Sequence, residues 1–227
     1  MTAGSRTTAL ALAAVLAASS LAYFGYSAYR KRELHKAVAE LVNDASRRLD
    51  ESLAVERDAM AASSTQIVRH LDDQAQEVDK HVIELRGMSA APDRALVDAA
   101  EEYLLTVRQI LRNQAATHRY LLQVSASEQT LRDHMRAASR RSKGWIEEVL
   151  REKDNMERAY FNYRLSSDAF ARLLDSYPDA RDKLAAQIDA RPLLSDDMST
   201  DARRRVAAAS RRVADEVERT RQLAAVR

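Results

Sequence analysis

The hydrophobic positions of this chain follow two patterns. From residue 30 onward, apolar residues recur at intervals of three and four, with charged residues between them. That spacing puts the apolar residues on one face of an α-helix, close to the 3.5-residue repeat of a coiled coil. Residues 7–29 show no such period and form one uncharged run. The pattern predicts an apolar N-terminal helix followed by amphipathic helices.

Turn signals divide the amphipathic part. Gly87 follows the last apolar position of the first helix, and Pro92 comes a few residues later. Ser125 and Glu128 form a capping-box pattern, and Pro178 disfavours helical geometry in the residue before it. We therefore predict a short tail over 1–6, helices over 30–86, 92–124, 127–176 and 178–190, a linker over 191–201 and a C-terminal helix over 202–227.

Composition decides the fold class. The chain has 227 residues but only four glycines and three prolines, too few for the turns of a β-rich or α/β domain of this size. Aromatic residues make up 5%, which indicates narrow seams rather than a thick core. We predict an all-α protein, in which an N-terminal transmembrane helix continues into an elongated antiparallel helical bundle or coiled coil.

The apolar run predicts a membrane anchor. A helix over residues 7–29 would be roughly 34 Å long, enough to cross a hydrocarbon core of ~30 Å. Aromatic residues gather at its end and a basic block follows, the order expected at a membrane interface. The residues assigned to that interface, with membrane lipid as the partner, are Tyr23, Phe24, Tyr26, Tyr29, Arg30, Lys31 and Arg32.

The positive charges after this run set the predicted orientation. Only Arg6 precedes it, so the positive-inside rule favours a cytoplasmic body on a single-pass protein of the bacterial inner membrane. Two alternatives stay open. The body is periplasmic if the run is an N-in signal anchor, and residues 1–22 are removed if Ser20-Leu21-Ala22 is a signal-peptide cleavage site.

Two sets of residues in the body are candidates for packing or binding. The cleanest apolar seam lies on the helix predicted over 127–176 and makes it the best core candidate: Trp145, Val149, Met156, Tyr160, Tyr163 and Phe170. The last helix is rich in arginine and is either a solvated face or a surface for an anionic or acidic partner: Arg203, Arg204, Arg205, Arg211 and Arg212. Nucleic acid is the weakest partner, because no aromatic residue lies between these arginines to stack on bases.

The sequence shows no pattern for catalysis, a metal or a cofactor. None of the five histidines completes a Glu-x-x-His or His-x-x-x-His pair, and there is no cysteine. The glycines are too scattered for a phosphate-binding loop, and no Gly-x-Ser-x-Gly elbow occurs. We expect a protein that is not an enzyme and has no cofactor.

The remaining function class is contact between helices. Polar residues occupy seam positions at Ser64, Gln74, Gln114 and Ser142, which suggests a partner helix or a homo-oligomer. We predict a structural, assembly or scaffolding component. The alternative is an extracytoplasmic sensory or ligand-binding bundle with a pocket near Trp145, Met156 and Tyr160.

Overall fold

Five helices contain nearly all of the residues that the structure describes. A computed structural model describes residues 3–59, 65–88, 92–136, 143–188 and 196–225, without the side chains of residues 3–24, 55–59, 143, 196, 197 and 225. The helices are α1 (Ala3–Ala59), α2 (Thr65–Gly87), α3 (Arg94–Arg136), α4 (Lys143–Ala185) and α5 (Asp196–Ala225). No strand occurs in these ranges, and the all-α prediction is confirmed.

Successive helices run in opposite directions, with α3 at the centre. α3 packs most extensively against α4 and next against α2. In each successive pair, early residues of one helix meet late residues of the other. The contacts that show this are Asp44–His81 and Arg48–Gln74 for α1–α2, Asp72–Arg119 and Arg86–Glu101 for α2–α3, Tyr103–Tyr177 and His134–Trp145 for α3–α4, and Glu157–Arg221 and Asp175–Arg203 for α4–α5.

Two hydrophobic clusters follow one another along α3. The first joins α1, α2, the N-terminal half of α3, the C-terminal half of α4 and the start of α5, around Leu49, Val78, Ile110 and Phe170. The second joins the far ends of α3, α4 and α5 around Leu131, Met156 and Val217. The bundle is therefore five helices thick at one end and three at the other.

The single helix predicted over 30–86 is a hairpin instead. α1 ends at Ala59, α2 begins at Thr65, and the contact between Asp44 and His81 requires the chain to reverse between them. Met60 and Ser64, two seam positions of the predicted helix, lie outside the described residues. The reversal lets both halves bury their apolar stripes in the first cluster, which a straight helix could do only against another chain.

The break predicted at Ser125–Ser127 is absent, because α3 continues to Arg136. Glu128, the expected capping-box residue, is buried beside α5, and Val124 and Leu131 are buried on either side of it. Packing of this face against α4 and α5 outweighs the local capping preference. The chain changes direction between Arg136 and Lys143 instead.

Pro178 lies inside α4 rather than between two helices. Proline removes one backbone donor and disfavours helix, but Tyr177, Ala180 and Leu184 around it are all buried. Core packing therefore carries α4 through the proline to Ala185. The C-terminal helix likewise begins earlier than predicted, at Asp196 rather than residue 202.

The membrane prediction is corrected. Across the ranges that the structure covers, no helix combines the length and the apolar character needed to cross a membrane. α1 passes without interruption from Ala3 through the basic block, residues 25–33 are exposed, and from Leu34 onward one face of the helix is buried in the bundle. The side chains of residues 7–24, including the possible cleavage site, lie outside the described part. The single-pass inner-membrane assignment, with either a cytoplasmic or a periplasmic body, is not retained.

Candidate interaction surfaces

An exposed apolar stripe runs along α4. Ile146, Leu150, Phe161 and Leu165 are 47, 55, 60 and 53% exposed. Their successive spacings are four, eleven and four residues, and eleven residues make about three helical turns, so all four share one face. Met156, Tyr163 and Phe170 are buried on the opposite side of the helix. We call these four residues the α4 stripe.

Charged residues interrupt and flank the α4 stripe. Asp154 and Glu157 lie between its two apolar pairs, and Arg158 lies beside them. Glu157 accepts hydrogen bonds from Arg221 of α5, with Nε to Oε1 at 2.6 Å, and this guanidinium lowers the pKa of Glu157 despite partial burial. Arg221 also lies 5.7 Å from the ring centre of Tyr160. The carboxylate nearest to α5 is thus already neutralised within the chain.

The predicted core seam lies between α4 and the bundle interior. Met156, Tyr163 and Phe170 are buried, and Val149 and Tyr160 are partly buried against the second cluster. Trp145 is half-buried and donates its indole N–H to the backbone oxygen of His134 at 2.7 Å. Side chains of the protein itself therefore occupy the region where the ligand-binding alternative places a pocket.

The α4 stripe was not predicted from the sequence, because the prediction used only one apolar seam on each helix. The signal was present as a second apolar series on α4, offset from the first by about half a turn. α3 shows the opposite outcome of the same feature. Its second series, Val97, Leu104 and Leu111, is buried because α3 is surrounded by other helices.

The predicted membrane-interface residues divide into three groups. Tyr26 and Tyr29 are each 61% exposed, and Arg30 lies 5.8 Å from the ring centre of Tyr26. Lys31 pairs with Asp93 at the start of α3, at 3.0 Å. The remaining residues are Arg32, which is exposed, and Tyr23 and Phe24, whose side chains lie outside the described part.

Asp93 fixes the start of α3 to α1. Its Oδ1 accepts the backbone N–H of Leu96 at 3.3 Å, a helix cap, while its Oδ2 lies 3.0 Å from Lys31 and 3.2 Å from His35. Lys31 first and His35 second lower the pKa of Asp93. Part of the basic block therefore stabilises the bundle.

The C-terminal arginines are also partly engaged within the chain. Arg203 pairs with Asp175 of α4, and Arg205 pairs with Asp201 one turn earlier at 2.8 Å. Arg204, Arg211 and Arg212 have exposed side chains. The set is mainly the solvated and salt-bridged face of a packed helix.

Polar residues at the seams bond to neighbouring helices of the same chain. Gln74 accepts a hydrogen bond from Arg48 at 2.7 Å, and Gln114 donates to the backbone oxygen of Ser52 at 3.0 Å. Ser64 and Ser142 lie outside the described residues. The seam positions of the two glutamines are therefore explained by hydrogen bonds within the chain and do not indicate an external partner.

Asp44 is the centre of the polar contact between α1 and α2. It bonds His81 at 2.7 Å, Arg48 at 2.6 Å and also Arg47. Burial acts to raise the pKa of Asp44, but the hydrogen bonds from His81, Arg48 and Arg47 together outweigh it and hold the pKa well below its ordinary value. Glu77, one turn before His81 on α2, pairs with Lys80.

A chain of buried hydroxyl groups joins three helices. Ser46 of α1 donates to the backbone oxygen of Val42 at 2.7 Å, and its oxygen lies 2.7 Å from the Tyr103 hydroxyl of α3. The Tyr103 hydroxyl lies 3.1 Å from that of Tyr177 in α4. Burial raises the pKa of Tyr103, which keeps the phenol neutral and able to donate.

A second buried polar group joins α3 to α5. Glu128, 7% exposed, accepts a hydrogen bond from Thr220 at 2.5 Å and one from Arg132. This contact and the hydroxyl chain lie at helix interfaces and have structural partners on both sides. Neither has the open, substrate-accessible geometry of a catalytic centre.

Within the described ranges, no group of three or more His, Asp or Glu side chains is placed to hold a metal ion. Comparisons with protein-family models, curated proteins and solved structures find no match. Function has therefore to be inferred from the residues and their geometry.

Proposed function

We propose that this protein is a helical scaffold that acts through protein–protein contact and not through catalysis. The observation that carries the proposal is the α4 stripe. Four large apolar side chains on one face of a 43-residue helix are about half exposed, whereas the other large apolar side chains of α4 are buried or partly buried. Large exposed apolar side chains that share one face and are rimmed by charges are typical of interaction surfaces.

The shape of the surface indicates the kind of partner. The α4 stripe is narrow, straight and roughly 28 Å long from residue 146 to residue 165. A helix with its own apolar stripe matches such a surface better than a flat sheet or a small ligand, because helices pack side by side through ridges and grooves. The partner is therefore a helix that covers the α4 stripe.

The rest of the bundle supports this role by holding α4 rigid. α3 and α5 cover the opposite side of α4, and ion pairs at Asp175–Arg203 and Glu157–Arg221 fasten α5 along it. A preorganised surface loses little entropy when it binds. The architecture thus presents one helix face in a fixed form.

Site-specific photocrosslinking tests the proposal in the native host. A photoreactive phenylalanine analogue replaces Phe161 in the full chain, and a matched variant carries it at Ile83, a 69% exposed apolar position on α2. We expect a discrete crosslinked protein product from position 161 and none of that size from position 83. Absence of any product from position 161, in a chain that circular dichroism shows to be folded, would refute the proposal.

A further inference from the structure

We infer that the helix that covers the α4 stripe is the α4 of a second copy of this chain, packed antiparallel. The inference rests on the proposed function, because it names the partner of the same surface. It depends on three properties of α4: the symmetry of the stripe, the charges around it and the size of the contact.

The spacings between residues of the α4 stripe are four, eleven and four, and they are therefore the same in both directions along the helix. In an antiparallel pair centred between Asn155 and Met156, Ile146 faces Leu165 of the second copy and Leu150 faces its Phe161. Twofold symmetry repeats each of these two contacts, so that all four stripe residues of each copy face a stripe residue of the other copy. In the parallel arrangement each residue instead faces its own copy.

The charges at the centre fit the same register. On the flank of the stripe that faces away from α5, Asp154 of one copy lies within about one residue of Arg158 of the other, and twofold symmetry repeats the pair. Glu157, on the other flank, is already paired with Arg221. Each Asp154 near the symmetry axis therefore has a cation within reach in the other copy, and each Glu157 has one in its own chain.

The size of the contact sets its strength. The eight half-exposed side chains and their flanks would bury on the order of 1,000 Å² in total, at the low end of specific interfaces. Such an interface forms a weak dimer whose population depends on concentration, with a Kd in the range of about 1–100 μM.

Sedimentation velocity of the full chain from about 1 to 1,000 μM is the first test, because this range covers the expected Kd. We expect a monomer–dimer equilibrium. Phe161→Asp should raise the dimer Kd at least ~100-fold, because symmetry removes the side chain from two contacts at once. Ile83→Asp makes the same change on α2 and should leave the Kd unchanged. A monomer throughout the range, or a dimer unaffected by Phe161→Asp, would overturn the inference.

A charge exchange tests the antiparallel register. Arg158→Asp places acid against acid and should weaken the dimer roughly tenfold, and addition of Asp154→Arg should restore it. Failure of the double variant to recover would exclude this register. The two proposals also fail separately. If the chain stays monomeric while position 161 crosslinks to a different protein, the scaffold proposal stands and the self-pairing inference falls.

Discussion

Removal of the buried Tyr103 hydroxyl group should lower the free energy of unfolding of the bundle by a measurable amount. The Tyr103 hydroxyl lies 2.7 Å from Ser46 of α1 and 3.1 Å from Tyr177 of α4, and the Tyr103 side chain is fully buried. Tyr103→Phe keeps the ring and its packing but removes both hydrogen bonds. The substitution therefore isolates the polar contribution of a point where three helices meet.

The structure sets the size of the effect. A buried hydrogen bond contributes about 1 kcal/mol, and Ser46 keeps its bond to the backbone oxygen of Val42, so little desolvation penalty remains at that end. We expect the free energy of unfolding to fall by ~1–2 kcal/mol. For a chain of this length that corresponds to a melting temperature lower by roughly 2–8 °C.

Urea unfolding followed by far-UV circular dichroism measures this change. Tyr29→Phe is the matched control, because Tyr29 is 61% exposed. A cycle with Tyr177→Phe should give a coupling energy of at least ~0.5 kcal/mol. If Tyr103→Phe is as stable as the wild type or matches Tyr29→Phe, the hydroxyl chain does not stabilise the bundle.

The contribution of Tyr103 to the free energy of unfolding should decrease at alkaline pH. Burial raises the pKa of Tyr103, although its hydrogen bonds to Ser46 and Tyr177 act the other way. A raised folded-state pKa means that the contribution of Tyr103 is present below the ordinary value of 10.0 and is lost as pH rises above it. Tyr103→Phe lacks this loss, so the stability difference between wild type and variant should narrow above pH 10.

Three further substitutions test separate elements. Asp44→Asn should lower the free energy of unfolding by ~1–2 kcal/mol at neutral pH, measured by urea titration. Because the folded-state pKa of Asp44 is lowered, the difference between wild type and variant should shrink as pH falls below 3.8. A difference that stays constant with pH would contradict the role of the Asp44 charge. Pro178→Ala should raise the free energy of unfolding by up to ~3 kcal/mol, seen as a higher urea midpoint, because α4 is continuous through residue 178. An unchanged midpoint would indicate that the helix ends there. Glu128→Ala should lower the free energy of unfolding by ~2 kcal/mol, because Arg132 would keep only the more distant carboxylate of Glu216, at 3.7 Å. It should also make α5 more sensitive to limited proteolysis, and unchanged cleavage would argue against a Glu128 link.

Helical periodicity in the sequence was sufficient to predict the class of fold and much of the core. Four large buried side chains of α2, Leu71, Val78, Val82 and Leu85, repeat at intervals of three, four and seven, and the apolar residues of α3 at Leu96, Val107 and Val124 are buried as well. These positions are predictable because burial of an apolar face is a property of one helix at a time.

Reversals of the chain were harder to predict, because they depend on contacts between helices. Neither glycine nor proline lies between Ala59 and Thr65, yet the chain turns back there so that α1 and α2 share one core. Conversely, Ser125 and Pro178 look like breaks, but both lie within helices because neighbouring side chains are buried against other helices. Local preferences of ~1–3 kcal/mol are outweighed by such packing.

The α4 stripe could not be predicted from the sequence, because its exposure also depends on contacts between helices. Phe161 and Leu165 form the same kind of apolar pair as Leu104 and Leu111, and only the assembled bundle shows that the first pair is exposed and the second buried. The apolar run over residues 7–29 was assigned to a membrane from its length, its hydrophobicity and the aromatic and basic residues at its end, and the structure contradicts that assignment.

The central claim is that two copies pair through α4 in opposite directions, and intermolecular distances measured between spin labels test it most directly. The chain has no cysteine, so Arg151→Cys and Arg172→Cys each introduce a single labelling site on the exposed surface of α4. An antiparallel pair centred between residues 155 and 156 predicts a separation of about 15–20 Å at position 151 and about 50 Å at position 172, from a rise of ~1.5 Å per residue. Similar short distances at both positions, or no intermolecular distance in samples at millimolar concentration, would contradict it.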